Sequence, residues 1–167
     1  IAGPREILVM ADESADPVYL AADMMSQAEH DRLASAILLS TDETVVKKTV
    51  EELERQIEGL SRKEIIKESL ENYGTIILCR SEQEMVDLAN EFAPEHLEVM
   101  TKNPIEYIGK VDNAGSVFLG KYAPEPLGDY MAGPNHVLPT SGTARFFSPL
   151  GVDSFLKKSS FIYYTKE

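Results

Sequence analysis

The six residues "EILVMA", Glu6–Ala11, decide how the rest of the chain is read. They are continuously apolar after the first position, without the in-out alternation of a half-exposed strand, which is the pattern of a strand covered on both faces. Similar short runs follow at Ala36–Ser40 ("AILLS"), Thr75–Cys79 ("TIILC"), Leu97–Met100 and Ser116–Leu119. The stretches between the first four are helical in pattern. Asp16-Pro17 supplies an N-cap and a first-turn proline for a helix running toward Glu29. Asp42 caps a second helix, with Val46, Val50, Leu53, Ile57 and Leu60 as its apolar stripe. Ser61 with Glu64, and Ser81 with Glu84, match capping boxes, while Gly74 and Pro94 are stop signals. Strands alternating with helices predict an α/β domain: a mostly parallel sheet with helices on both faces, an incomplete, Rossmann-like doubly wound fold.

Composition narrows the function. The 167 residues suit one domain, 1–167, and the net charge of −12 disfavours nucleic acid and anionic lipid surfaces as partners. No apolar run is long enough to span a bilayer, so no membrane partner is expected. The single cysteine, Cys79, reads as a buried free thiol and excludes an intramolecular disulfide, consistent with a reducing cytoplasm. The chain starts without Met and enters a strand within six residues, as expected of a segment cut from something longer.

From Gly120 to Thr143 the character changes, because these 24 residues hold eight of the nineteen glycines and prolines. Neither period survives there. Tyr122, Tyr130, Met131, Val137 and Leu138 argue for an ordered functional loop over a disordered one. "SFIYYT", Ser160–Thr165, reads as a last strand.

The chain has three histidines, each in a polar, punctuated setting: His30 in "DMMSQAEHD", His96 in "FAPEHLEV" and His136 in "GPNHVLPT". Gln27 and His30, three apart, converge on one side of a helix and suit a metal, or else cap and solvate the helix end beside Asp31. Glu95 and His96 can divide acid and base work between them, or else form an exposed loop pair at a helix C-terminus. Both readings of each pair stand at this level. Asp129 and His136 are held among Gly128, Gly133, Pro134 and Pro139 on the loop, and with the other two histidines and Gln27 they suggest a metal site.

Taken in order, "GPREILVMAD" (3–12), "DMMSQAEHD" (23–31), "FAPEHLEV" (92–99), "NAGSVFLG" (113–120) and "GDYMAGPNHVLPTSGTARF" (128–146) resemble the histidinol dehydrogenase family over essentially the whole chain. The resemblance implies a Zn²⁺-dependent, NAD-linked oxidation of L-histidinol through the aldehyde to L-histidine by a cytoplasmic homodimer, with one zinc per subunit. It implies Gln27, His30 and Asp129 as zinc ligands, Glu95 and His96 as the acid–base pair, and Gln27, His30, His96, Asp129 and His136 as substrate contacts. Arg5 stands where the family usually has a substrate-contacting Ser or Thr. Family members are also more than twice as long, so the fragment alone is expected to be inactive, its N-terminal dinucleotide-contacting part and the tail with a fourth zinc ligand lying elsewhere. No G-x-G-x-x-G follows a strand, so cofactor-binding residues are not assigned. Two other function classes fit the same residues: a zinc hydrolase using Glu95 as general base, and a non-catalytic binding or assembly module.

Overall fold

A computed structural model describes residues 3–166, the side chain of Asp129 excepted. Five parallel strands form one sheet: β1 (Glu6–Ala11), β2 (Ser35–Ser40), β3 (Gly74–Leu78), β4 (His96–Met100) and β5 (Ser116–Leu119). Their spatial order is β3-β2-β1-β4-β5. The chain thus winds outward from β1 to β3, then returns across β1 to lay down β4 and β5, the doubly wound pattern. Helices α1 (Pro17–Ala28), α2 (Glu43–Ile57), α3 (Lys63–Tyr73) and α4 (Glu82–Phe92) make the crossovers.

β1 is apolar from Ile7 to Ala11 because both its faces are covered there. Ile7, Val9 and Ala11 pack with Leu20 and Met24 of α1 and Val45 of α2, while Leu8 and Met10 pack with Met85, Val86 and Ala89 of α4. Helices therefore lie on both faces, as expected from the sequence. A third cluster, Ala21, Met25 and Ala28 with Ile57 and Ile66, ties α1 to α2 and α3. Asp16 caps α1 by accepting from Val18 N at 2.9 Å, and Asp42 caps α2 from Val45 N at 2.8 Å. Cys79 is buried and free.

Several local expectations are corrected. The buried face of α2 is Val45, Thr49 and Ile57, with Leu53 partly buried, and Val50 and Leu60 are exposed. Thr49 is tolerated inside because its hydroxyl donates to Val45 O at 2.8 Å, removing an unpaired polar group. α3 has no side-chain cap; Arg62, not Ser61, holds the N-cap position. Gly74 stops α3 as expected, capping it in an extended conformation as the first residue of β3, where a Cβ would lie 2.4 Å from Leu70 O. At the end of α4 it is Ala93, just before Pro94, that takes the left-handed turn.

Two corrections bear on the second half. The 120–143 segment contains a short helix, α5 (Glu125–Tyr130), which the prolines at 124 and 126 start rather than prevent, since their fixed φ suits a first helical turn. Residues 160–165 form no strand: Phe161, Ile162, Tyr163 and Tyr164 are exposed, Phe161 at 96%, and no ladder pairs them within the described residues. A strand pattern with no neighbouring strand gains no ladder hydrogen bonds.

Candidate acid–base site at the amino ends of the strands

β4 begins one residue earlier than its apolar run, and that residue is His96. It lies opposite Ile7 on one side and Ser116 on the other, so the imidazole leaves the sheet at the amino end of an interior strand. His96 is 1% exposed and Glu95 5%, which rules out an exposed loop pair. α1 runs antiparallel to the strands it covers, so its C-terminal turn, with Gln27, arrives at the same edge. Gln27 is wholly buried, and its Nε2 lies 3.3 Å from His96 Nδ1.

The ring's protonation follows from its neighbours. His96 Nδ1 is 3.0 Å from the carbonyl of Glu6, which can only accept, so Nδ1 carries a hydrogen. Nε2 lies 3.5 Å from Glu125 Oε1, and the same oxygen lies 3.5 Å from Arg5 Nη1. Arg5 is thus turned into the cluster, its side chain 32% exposed, and not simply toward solvent. Glu95 Oε2 accepts from Glu6 N at 3.1 Å and stands 3.6 Å from His96 Nδ1. Glu6 in turn accepts from Glu95 N at 3.4 Å and, through its other oxygen, from Ser141 N at 3.0 Å. That last bond ties the far end of the Gly/Pro-rich segment to the site.

Charge accumulates here. Glu6, Glu95 and Glu125 surround Arg5 and His96, and Glu98 lies behind them, wholly buried. Burial pushes the Glu95 carboxyl up to about 7, with the Glu6 and Glu125 charges adding to the effect against the Glu6 N–H and Arg5. Burial also raises Glu6, against the N–H groups of Ser141 and Glu95. A buried cluster with more acids than bases favours cationic ligands, and a carboxyl poised near neutrality suits proton transfer.

His30 is exposed on the turn after α1, its N–H donating to Gln27 O at 3.1 Å, and His136 is exposed on the segment after α5. The backbone of Asp129 lies in α5, which Glu125 starts; its side chain lies outside the described residues. Among the described residues no three His, Cys, Asp or Glu side chains stand close enough together to hold a metal. The candidate ligand set relies instead on an amide and on Asp129. One buried atom fits that set: Gln27 Oε1 has no hydrogen-bond partner. An orphaned buried oxygen costs about 1–3 kcal/mol unless something else satisfies it.

Sequence reading missed Glu6, Glu98 and Glu125. Glu98 had a signal, since it stands two residues after His96 and so on the same face of β4. Glu6 and Glu125 open a strand and a helix, where an acidic residue looks like an ordinary boundary.

Gly115, inside the "NAGSVFLG" stretch, has a defined purpose. Its N–H donates to Pro94 O at 2.9 Å, and a Cβ there would lie 2.5 Å from Glu95 O. Gly115→Ala is therefore expected to push the Glu95 backbone away and cost ~1–3 kcal/mol by overpacking. Chemical denaturation of the two forms measures this, and an unchanged midpoint would refute the close approach.

Parallel α/β sheets ordinarily bind ligands at the carboxyl ends of the strands, beside the point where strand order reverses. A crevice of about 390 Å³ lies there, lined by Ser14, Asp16, Thr101, Lys102, Gly120 and Lys121. The acid–base cluster occupies the opposite edge. The fold and site define a doubly wound α/β domain that carries a buried, predominantly acidic cluster around a histidine at its amino edge.

Comparison with known proteins names the particular group. The family model described as "Histidinol dehydrogenase" matches residues 1–167, and the chain belongs to that family. Histidinol dehydrogenase from Clostridium acetobutylicum is 62% identical over 167 residues, all of this chain and 39% of that protein. The enzyme of that name from Listeria monocytogenes is 60% identical over the same shares. The crystal structure of histidinol dehydrogenase from Elizabethkingia anophelis superposes with a TM-score of 0.91 at 44% identity, covering 96% of this chain and 37% of that one. The chain therefore spans about two-fifths of the length of these relatives, 39% of each sequence relative.

Proposed function

We propose that the protein to which this chain contributes oxidises L-histidinol, by way of L-histidinal, to L-histidine, with NAD as hydride acceptor in both steps. The observation that carries this reading is the buried Glu95–His96 pair, with a carboxyl pushed up to about 7 beside an imidazole whose Nε2 faces the Glu125 carboxyl in the cluster. His96 Nε2 takes the alcohol proton as the first hydride leaves, and Glu125 Oε1, at 3.5 Å, stabilises the resulting imidazolium. Glu95 takes a proton from the water that adds to the aldehyde, before the second hydride leaves. The substrate's amine and imidazole suit a site dominated by carboxylates.

Gln27, His30 and Asp129 would hold the zinc, a mixed nitrogen–oxygen donor set suited to it, and Gln27 Oε1 is the atom already buried without a partner. When bound, zinc supplies Lewis acidity and a fixed point for the substrate's nitrogens. His136 and Arg5 would border the substrate, Arg5 through its contact with Glu125. A cavity of about 470 Å³ lined by Gly3, Val137, Pro139, Thr140 and Ser141 leaves room next to Glu6.

A homodimer accounts for the exposed apolar residues from Phe146 to Tyr164, which include Phe147, Val152, Phe155 and Phe161. No helix among the described residues is long and apolar enough to cross a membrane, in keeping with a cytoplasmic setting. Absorbance at 340 nm on adding L-histidinol and NAD to the whole protein tests the reading. Two NADH per histidinol are expected. Histidinol-independent hydrolysis of ester or amide substrates would instead favour a zinc hydrolase, and no turnover of either kind a non-catalytic module.

A further inference from the structure

β4 sends two ionisable side chains toward α1, and only His96 has so far been given a role. The other, Glu98, lies in the middle of the strand between Val9 and Phe118 and is wholly buried. Its two oxygens face different segments. Oε1 accepts the backbone N–H of Glu125, the first residue of α5, at 2.9 Å. Oε2 is buried with no hydrogen-bond donor facing it, and the carboxyl it is electrostatically tied to is that of Asp23 on α1. Two carboxyl groups in that relation hold a proton between them, since two adjacent anions in a dry site repel too strongly. Burial, reinforced by the Asp23 charge, holds Glu98 well above the usual carboxylate range, whereas Asp23 is raised by burial to about 6. The pair therefore shares one proton. Glu98 is bonded to α5 through one oxygen and turns the other toward the carboxyl partner on α1.

The two segments so joined carry the two halves of the site. Asp23 stands one helical turn before Gln27, on the same side of α1, and His30 follows on the adjoining turn. Glu125 opens α5, which carries Asp129 a turn later. No backbone hydrogen bond runs from α1 to α5 within the described residues. We propose that Glu98 is a positioning residue, a bridge that sets the spacing between the α1 and α5 ligands and so governs how tightly a divalent cation is held. This rests on the assignment of Gln27, His30 and Asp129 as the metal set.

Glutamine tests the bridge closely, because its carbonyl still accepts from Glu125 N and its amide can donate to Asp23. Leucine removes both links. Zinc affinity would be measured on the whole protein by competition with a chromophoric chelator, alongside circular dichroism and the kcat and KM for histidinol. Glu98→Gln is expected to hold zinc as the parent does. Glu98→Leu should lose on the order of 10- to 100-fold in zinc affinity, the usual cost of losing a group that orients a metal ligand. With zinc saturating, its kcat should recover while KM for histidinol stays raised. Should Glu98→Leu fail to fold, Asp23→Ala breaks the α1 arm alone at a half-buried helical position and is expected to weaken zinc in the same range. Parent-like affinity in folded Glu98→Leu, or in Asp23→Ala, would overturn the bridge. Equal losses in Glu98→Gln and Glu98→Leu would also overturn it, by showing that the negative charge and not the bridge is what counts. A parent protein that takes up no zinc would overturn the metal assignment itself, and the bridge with it.

Discussion

Replacing His96 by asparagine in the whole protein is expected to lower kcat for histidinol oxidation by ~10²–10⁴-fold, the span usual for a positioned acid–base group. Asparagine is the informative choice. Its amide N–H can replace the donor that His96 Nδ1 offers to Glu6 O at 3.0 Å, so the buried carbonyl stays paired and the fold is kept. It has nothing in place of Nε2. The defect should therefore fall on kcat, with zinc content and the melting temperature near those of the parent. Stopped-flow measurement of the first NADH formed isolates the step, and a loss of less than about tenfold would remove His96 from the proton-transfer role.

Glu95→Gln should be comparably severe but selective. The substituted side chain matches the carboxylate in size and can still accept from Glu6 N, so packing at this 5% exposed position is retained. It cannot take a proton from water. Turnover starting from the aldehyde should fall by ~10²–10⁴-fold, and the first oxidation of the alcohol by much less. The pH dependence follows from the same group. Burial pushes Glu95 up to about 7, so the fraction in the basic, ionised form rises with pH through that value. The aldehyde step should accordingly rise on the acid side of pH 7 in the parent and lose that limb in Glu95→Gln. Equal and small effects on the two steps would count against a division of labour between Glu95 and His96.

How much of this could be read from residues alone depended on what each element needs. The inner strands were the most legible, because burial on both faces leaves an unbroken apolar run in β1 from Ile7 to Ala11 and in β2 from Ala36 to Leu39. The α2 face was misread because Thr49 hides its hydroxyl on Val45 O, so a polar letter stands at a core position. Residues 160–165 carry the letters of a strand, but pairing belongs to neighbours and not to the segment. In the site, Glu95 and His96 were visible as a chemical pair. Their burial was not, since that depends on β4 starting at His96 and on Gly115 letting β5 close against Glu95. Glu6, Glu98 and Glu125 were hidden for the reverse reason, because an acidic residue at a strand start, among strand residues or at a helix start carries no local mark of being enclosed.

The placement of His96 at the head of an interior strand separates a rigid part of the proposed site from an adjustable one. Its backbone is laced to Ile7 and Ser116, and Glu95 is held by the Glu6 backbone, so the reactive geometry is paid for once, when the sheet forms. The residues from 120 to 142 reach the same place through a six-residue helix and single tethers such as Ser141 to Glu6. Substitutions in that span can shift the proposed substrate contacts without moving Glu95 or His96. Substitutions in β4 have no such latitude, because any change that moves the strand moves the proposed acid–base pair with it.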